Sequence, residues 1–184
     1  SCQEIGPGHE SIEEAKGNMA QLSCSPGRYG LGGANACEAC PSGWSQNDPG
    51  QVECGICSAG TYAVENGSTM CTGCSPGSFS ALNGSWSCKE CPEGWFQSSV
   101  GQSNCSNITE AYEGIGGTAN VSHPGHMAQV PCPVGKYFST FACLLCPVDM
   151  FSDIPRALAC KTCETGLTRK RTGATVCEVC PAGW

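Results

Sequence analysis

The sequence predicts a fold of small disulfide-rich repeats: an elongated tandem array of 17-residue cysteine units, each with a short β-hairpin and little other regular secondary structure. Three observations carry this prediction. Cysteine accounts for 18 of the 184 residues, a fraction typical of secreted disulfide scaffolds. Most of these cysteines recur with one fixed spacing. Leu, Ile, Val and Phe together number only 27, too few to offset the conformational entropy of the chain with one large core.

The repeat unit reads C-x2-C followed by thirteen residues, and it recurs without a slip inside each array. The units begin at Cys37, Cys54, Cys71, Cys88, Cys143, Cys160 and Cys177. Glycine recurs at positions seven and fourteen of the unit, as at Gly60 and Gly67. A glycine fixed in place indicates a backbone that needs positive φ, so each unit is predicted to contain two turns.

An aromatic or large apolar residue lies between the two glycines of each unit, as at Trp44, Tyr62 and Phe79. We therefore expect a short hairpin with one packing side chain. The Cys143 unit departs from this pattern, because Asp149 and Arg156 stand where the other units have glycine. Its second turn is predicted to differ.

A larger repeat encloses the small one, since residues 17–29 and 125–137 match across a shift of 108 and each match leads into an array. The predicted divisions are a spacer at 1–23, free of cysteine after Cys2, a first array at 24–105, a Gly/Thr-rich spacer at 106–131, and a truncated second array at 132–184. In the first spacer, Ser11 with Glu14 resembles a capping box. Ile12, Ala15 and Met19 form one apolar stripe, and Gly17 is expected to end the helix. A short helix is predicted there, while the second spacer is predicted to be irregular. We expect Met19 and Met127 to be buried at the start of the two arrays.

The C-x2-C pairs allow three interpretations: a redox pair, zinc sites or disulfides. No βαβ pattern accompanies them, which argues against a thioredoxin-like site. Four-cysteine zinc sites would leave the single cysteines at the two ends of the first array without a role. Disulfides between the second cysteine of one pair and the first of the next use all ten cysteines of the first array in nearly equal loops. This scheme joins Cys24–Cys37, Cys40–Cys54, Cys57–Cys71, Cys74–Cys88, Cys91–Cys105, Cys132–Cys143, Cys146–Cys160 and Cys163–Cys177.

Each predicted bridge closes about 14 residues and contributes roughly 3 kcal/mol in the chain-entropy model. Eight such bridges can replace a core, and each unit is expected to contact mainly its neighbours. Cys2 and Cys180 are left over by this scheme, and we expect their partners in flanking sequence.

Asn-Xaa-Ser/Thr acceptor sites indicate passage through the secretory pathway, and hence an extracellular or cell-surface protein. They lie at Asn66, Asn83, Asn104, Asn107 and Asn120. We predict N-linked glycans at Asn66, Asn83, Asn107 and Asn120. Asn104 is the least favourable acceptor, because its motif contains Cys105 and it crowds Asn107.

The net charge of −7 disfavours nucleic acid and anionic membrane as partners. The basic cluster Arg169, Lys170 and Arg171 is interpreted as a solvated loop tip rather than a heparin or processing site. No apolar run approaches 18 residues, so no membrane span is predicted in this segment.

No arrangement of residues predicts an enzyme, a cofactor site or a metal site. His9, His123 and His126 are the only histidines, and Pro124 and Gly125 keep the last two from sharing a helical face. No nucleophile is paired with a base in a recognisable motif. Trp44, Trp95 and Trp184 share one repeat position, where covering a disulfide is favoured over a carbohydrate-binding ladder.

The pattern C-x2-C-P-x-G-[WY], with thirteen residues between pairs, resembles the cysteine-rich repeats of ephrin receptors, within the broader growth-factor-receptor and tumour-necrosis-factor-receptor-like class. The resemblance covers residues 24–105 and 132–184 and implies extended spacers, ligand-binding stalks or self-associating segments. The function expected is an extracellular structural repeat segment, a rod or spacer of a large surface protein or fibre, with protein partners that include further copies of itself. The alternative is a ligand-binding receptor ectodomain with the Cys143 unit as its site and Phe151 and Ile154 as anchors.

Overall fold

The computed structural model describes residues 4–13, 19–33, 36–116 and 125–180, and in this part of the chain it contains no helix. Its regular structure consists of two-stranded antiparallel hairpins, each made by consecutive strands. The strands are β1 His9–Glu13, β2 Met19–Ser23, β3 Arg28–Tyr29, β4 Glu38–Ala39, β5 Trp44–Ser45, β6 Gly55–Ile56, β7 Thr61–Tyr62, β8 Thr72–Gly73, β9 Ser78–Phe79, β10 Lys89–Glu90, β11 Trp95–Phe96, β12 Ser106–Asn107, β13 Tyr112–Ile115, β14 Ala128–Pro131, β15 Lys136–Ser139, β16 Ala142–Leu145, β17 Met150–Phe151, β18 Lys161–Thr162, β19 Leu167–Thr168 and β20 Glu178–Val179. The tandem array of small disulfide-rich units is therefore confirmed.

Two compact units make up the chain. The first comprises Ser1–Ser75, Phe79–Lys89 and Val100–Asn104, and the second comprises Pro76–Ser78, Glu90–Ser99 and Cys105–Trp184. In both units the buried side chains are mainly half-cystines and small residues such as Ala63 and Ala174. The hydrophobic effect thus acts on many small buried groups rather than on one cluster of aliphatic side chains.

Backbone hydrogen bonds between successive units recur at the same repeat positions. In the Cys54 unit, the position-four cysteine donates from Cys57 N to Gly43 O, the position-seven turn of the unit before (2.9 Å). The fourteenth residue donates in the same direction, as Gly84 N does to Cys57 O (2.7 Å). Position ten donates forward, as Ala63 N does to Ser85 O (3.1 Å). We call this recurring set of hydrogen bonds between units the lattice. Because main-chain groups make these bonds, the lattice tolerates most side chains.

The packing reaches one unit further than the sequence predicts. A Cβ added to Gly60 would lie 2.1 Å from the carbonyl oxygen of Gly101, two units along the chain. The same close approach joins Gly27 to Gly67 and Gly43 to Gly84. In these three units glycine at position seven is therefore favoured for two reasons, its positive φ and its lack of a side chain.

The predicted change of turn in the Cys143 unit is wrong. Asp149 and Arg156 adopt φ values of 60° and 58°, inside the left-handed region that glycine occupies elsewhere. Arg156 N still donates to Cys132 O at 2.7 Å, the bond that the fourteenth residue makes in other units. The lattice therefore imposes the left-handed turn even on residues for which that conformation costs about 1–2 kcal/mol.

The helix predicted in the first spacer is also wrong where the structure describes it. Ser11 and Ile12 lie in β1, which pairs with β2 so that Ser11 faces Gln21. Glu14, Ala15 and Gly17 lie outside the described residues. A helix this short is marginal in water, whereas the hairpin is tied to the next unit by the backbone bond from Gly8 N to Gly30 O (2.7 Å). The second spacer is not irregular either, since β13 pairs with β14 from Tyr112↔Pro131 to Ile115↔Ala128.

Both spacers prove to be units of the same array. Counted from Cys105, Ile108 stands at position four and Ala111 at position seven. Ile108 N donates to Gly94 O (2.8 Å), and Cys132 N donates to Ala111 O (2.9 Å), as in the other units. Ile5 and Gly8 stand at the same two positions in the first spacer, where Cys24 N donates to Gly8 O (2.8 Å). The backbone hydrogen bonds of the repeat are therefore also made in both spacers.

In each spacer unit an isoleucine and a glutamine occupy the two positions that a cystine fills elsewhere. Gln21 and Gln129 stand at the first position of the following unit. Gln129 Oε1 accepts a hydrogen bond from Thr109 N at 2.6 Å, and Gln21 Oε1 accepts one from Gly6 N at 3.3 Å. The glutamine amide thus ties the ends of a loop that has no covalent bridge.

A glutamate in each spacer hairpin joins it to the array that follows. Glu10 Oε2 accepts from Cys37 N at 3.0 Å, and Glu113 Oε2 accepts from Cys143 N at 3.3 Å. Met127 is 43% exposed, so its predicted burial is wrong. The side chain of Met19 lies outside the described part of the structure.

We predict that alanine at Gly60 lowers the free energy of unfolding more than alanine at Gly101. Both glycines have positive φ, but a Cβ on Gly101 meets nothing within 4 Å. Gly101→Ala should therefore cost about 1–2 kcal/mol for the backbone conformation alone. Gly60→Ala should cost a further ~2 kcal/mol, because the turn must move off its neighbour. Calorimetry of the oxidised protein measures both, and equal losses would contradict the close approach.

Candidate functional site: bridges, acceptor asparagines and surface clefts

The observed disulfides are the pairs predicted from the cysteine spacing. The bridges are Cys24–Cys37, Cys40–Cys54, Cys57–Cys71, Cys74–Cys88, Cys91–Cys105, Cys132–Cys143, Cys146–Cys160 and Cys163–Cys177. The position-four half-cystine is the more protected one, as Cys57 and Cys74 have no exposed surface. In the described part of the chain the free cysteine is Cys180, while Cys2 lies outside it.

The two acceptor asparagines in successive repeats each bind the backbone of the preceding unit through Oδ1. Asn66 Oδ1 accepts from Ser42 N at 2.9 Å, and Asn83 Oδ1 accepts from Ala59 N at 2.8 Å. Both residues are exposed. Because N-linked glycans attach at Nδ2, the hydrogen bond leaves the reactive nitrogen directed away from the contact. This arrangement fixes the direction in which a glycan would leave the surface.

The remaining acceptor sites have different settings. Asn107 is exposed in β12, where it pairs with Trp95. Asn104 makes at least one specific interaction of its own. Asn120 lies outside the described residues.

A cleft of about 720 Å³ lies on the second compact unit, between the Cys143 and Cys160 units. Its lining residues combine apolar side chains with charges at the rim: Phe151, Cys160, Lys161, Thr162, Glu164, Leu167, Val176 and Cys177. Phe151 is half-buried, and the Lys161 ammonium lies 5.8 Å from the centre of its ring. Asp153 holds Lys161 in place through an ion pair at 2.7 Å. Ile154, the second predicted anchor, is exposed but does not line this cleft.

The basic cluster is partly engaged in structure. The Arg169 guanidinium forms an ion pair with Glu178, and its main chain is bound by Asp149. Lys170 and Arg171 are exposed and line a smaller cleft of about 460 Å³ with Glu178. Since a carboxylate shares that cleft, its charge opposes the binding of an anion.

Asp149 replaces the turn glycine of its unit and holds the next unit through its carboxylate. Its Oδ1 accepts from Thr168 Oγ1 at 2.7 Å and from Arg169 N at 3.0 Å. The hydrogen bond from Arg169 N, followed by the one from Thr168, lowers the pKa of Asp149 below 3.8, because both donors favour the charged carboxylate.

The histidines do not form a shared site in the described structure. His9 Nδ1 lies 3.0 Å from Pro7 O, and its Nε2 lies 3.1 Å from Ser23 Oγ. His126 is 1% exposed, and neither ring nitrogen has a hydrogen-bond partner. His123 lies outside the described residues, and among those described no three metal-ligating side chains gather.

The aromatic residues at position eight are partly open to solvent. Trp44 and Trp95 are each more than a third exposed, and Trp184 lies outside the described residues. Sequence reasoning passed over Trp86, which is 64% exposed. Trp86 lies two residues before the first cysteine of the next unit, as Val52 and Leu158 do. This shared repeat position is the signal that could have found it.

The bridges and hairpins define a class: cysteine-rich repeats built as tandem disulfide-closed hairpins. No protein-family profile matches the chain, and no match to it emerges among curated proteins. Within the described ranges, no helical segment has the length and apolar character of a membrane span.

We predict that the Asp149 carboxyl titrates at a lower pH than an ordinary aspartate. Its pKa is lowered in the folded state, so the stabilisation that it contributes is present above the unfolded pKa and is lost as the pH falls through the folded pKa. Thr168→Val removes one donor and should raise the midpoint, while Thr162→Val is the matched control. NMR titration of the oxidised protein measures both, and an unchanged midpoint in Thr168→Val would contradict the assigned cause.

Proposed function

We propose that this chain is an extracellular structural repeat segment, a rod or spacer of a larger surface protein or fibre, without catalytic activity. The observation that carries the proposal is the recurrence of one set of backbone hydrogen bonds between units, spacers included. Ligand sites depend on particular side chains, whereas this lattice depends on main-chain groups and glycine. Such an arrangement supports length and repetition rather than recognition at one place.

The bridges support placement outside the cell, since disulfides persist in oxidising compartments. The exposed Asn66 and Asn83 support N-linked glycosylation there. The finer resemblance to ephrin-receptor repeats rests on the C-x2-C-P-x-G-[WY] pattern and on the short hairpins. It is compatible with self-association into fibres.

A ligand-binding ectodomain is the second candidate, and the cleft at Phe151 favours it. Its lining combines the aromatic Phe151 with the charged Lys161 and Glu164, an apolar and polar mixture typical of ligand pockets. The ion pair of Lys161 with Asp153 would orient such a ligand. Only the second candidate, the ligand-binding ectodomain, requires Phe151 for the binding of a ligand.

Electron microscopy of the native material tests the structural proposal. We expect elongated particles or fibres with a regular axial spacing, because identical contacts between units generate a constant step. Phe151→Ser should leave these particles unchanged. Isolated molecules that capture a protein ligand, and lose it in Phe151→Ser, would instead establish the receptor function.

We predict N-linked glycans at Asn66 and Asn83 in protein secreted from eukaryotic cells. Ser68→Ala and Ser85→Ala remove the acceptor motifs but keep both asparagine hydrogen bonds, so each should lower the mass by one glycan. Ser103→Ala, outside every acceptor motif, is the control. Intact mass spectrometry before and after enzymatic glycan release reads the result, and unmodified Asn66 and Asn83 would contradict the prediction.

A further inference from the structure

The unit that begins at Cys105 differs from its neighbours in three independent ways, all inside the second compact unit. Its described residues are 105–116 and 125–128, and we call it the bridge-free unit. Every difference removes a stabilising contact that other units have, or adds an unfavourable one. Together they lower the stability of the closed form of this unit.

The first difference is the missing covalent closure. Ile108 is 6% exposed at a position where other units bury a half-cystine. The loop is closed instead by the Gln129 side chain, which accepts from Thr109 N at 2.6 Å and donates to Thr109 Oγ1 at 3.0 Å. No disulfide joins two residues between Cys105 and Cys132, while bridges to Cys91 and Cys143 hold both ends.

The second difference is a strained turn. Ala111 has φ 69°, where most units place glycine. An L-residue with a Cβ adopts this left-handed conformation at a cost. The Ile5 unit, which also lacks a cystine, keeps Gly8 at this position and has φ 79°.

The third difference is a buried, unpaired imidazole. His126 occupies the place of Ser85 and Ala174 in other units, where small residues suffice, and its main-chain oxygen accepts from Gln97 N at 3.0 Å. Its ring lies against Gly114, where an added Cβ would stand 2.5 Å from Cγ. Both ring nitrogens are buried without a hydrogen-bond partner, an arrangement that disfavours the closed state.

We propose that the bridge-free unit is a reversible joint, which opens locally while every disulfide of the array stays intact. Opening breaks the bond from Ile108 N to Gly94 O and the bond from Gly125 N to Cys91 O, and it exposes His126 to water. This device is independent of whether the array serves as a spacer or as a receptor stalk.

Amide hydrogen exchange on the oxidised full chain tests the proposal. We expect the amides of Ile108, Gly125 and Cys132 to exchange at least about 100-fold faster than their counterparts in bridged units, which make the same bonds: Cys57, Gly84 and Cys74. The amide of Cys24 in the Ile5 unit should be intermediate, because that unit lacks a bridge but keeps its glycine. Equal rates in the bridged and bridge-free units would overturn the proposal.

Two variants separate the causes. Ile108→Cys with Gln129→Cys should form a ninth disulfide and slow exchange in the bridge-free unit by roughly 100-fold, the effect of a closed loop of this size. Ala111→Gly should slow it about fivefold by relieving the turn, and Ala157→Gly, outside the unit, should not. Mass spectrometry shows whether the new bridge forms. Persistent free thiols, or a bridge without slower exchange, would each contradict the joint.

Discussion

One contact governs the whole array: the left-handed turn at position seven, pressed against the backbone of later units. Its main-chain oxygen receives the amide of the next position-four residue, as Gly43 O receives that of Cys57. In several units a Cβ has no room there, since a Cβ added to Gly60 would lie 2.1 Å from Gly101 O, whereas Ala111 and Asp149 hold the same turn with a side chain. Hydrogen bonds and close packing between units are therefore set by the main chain, and the cystines secure loops that the turn has already positioned.

This division explains what the sequence can predict. The cysteine spacing and the two glycines report constraints that almost no other residue satisfies, so the unit, its hairpin and its turns follow from them. Asp149 and Arg156 show the limit of the glycine signal, because a lattice strong enough can hold other residues at positive φ. The helix predicted around Ser11 failed because a short helix is marginal by itself, whereas the β1–β2 hairpin is tied to the next unit by the bonds from Gly8 N to Gly30 O and from Cys24 N to Gly8 O.

The spacers were not predicted to be repeat units because the prediction used cysteine spacing alone. Counting three residues on from Cys2 and Cys105 reaches Ile5 and Ile108, and three more reach Gly8 and Ala111, which is the spacing of the unit with an apolar residue in place of a thiol. The paired roles of Gln21 and Gln129 were beyond sequence reasoning, since they depend on which backbone amide each side chain reaches. The unpaired ring of His126 was equally hidden, because burial follows from the neighbours.

The asparagine contacts have a consequence for chemical ageing. Asn66 and Asn83 each precede glycine, the pair in which the following backbone nitrogen most readily attacks the side-chain carbonyl and converts asparagine to isoaspartate. Here both reactants are held: Asn66 Oδ1 is bound by Ser42 N, and Gly67 N donates to Cys40 O at 2.7 Å. The same restraint applies at Gly84 N, bound to Cys57 O. A long-lived extracellular material built this way would resist deamidation for as long as its turns stay closed.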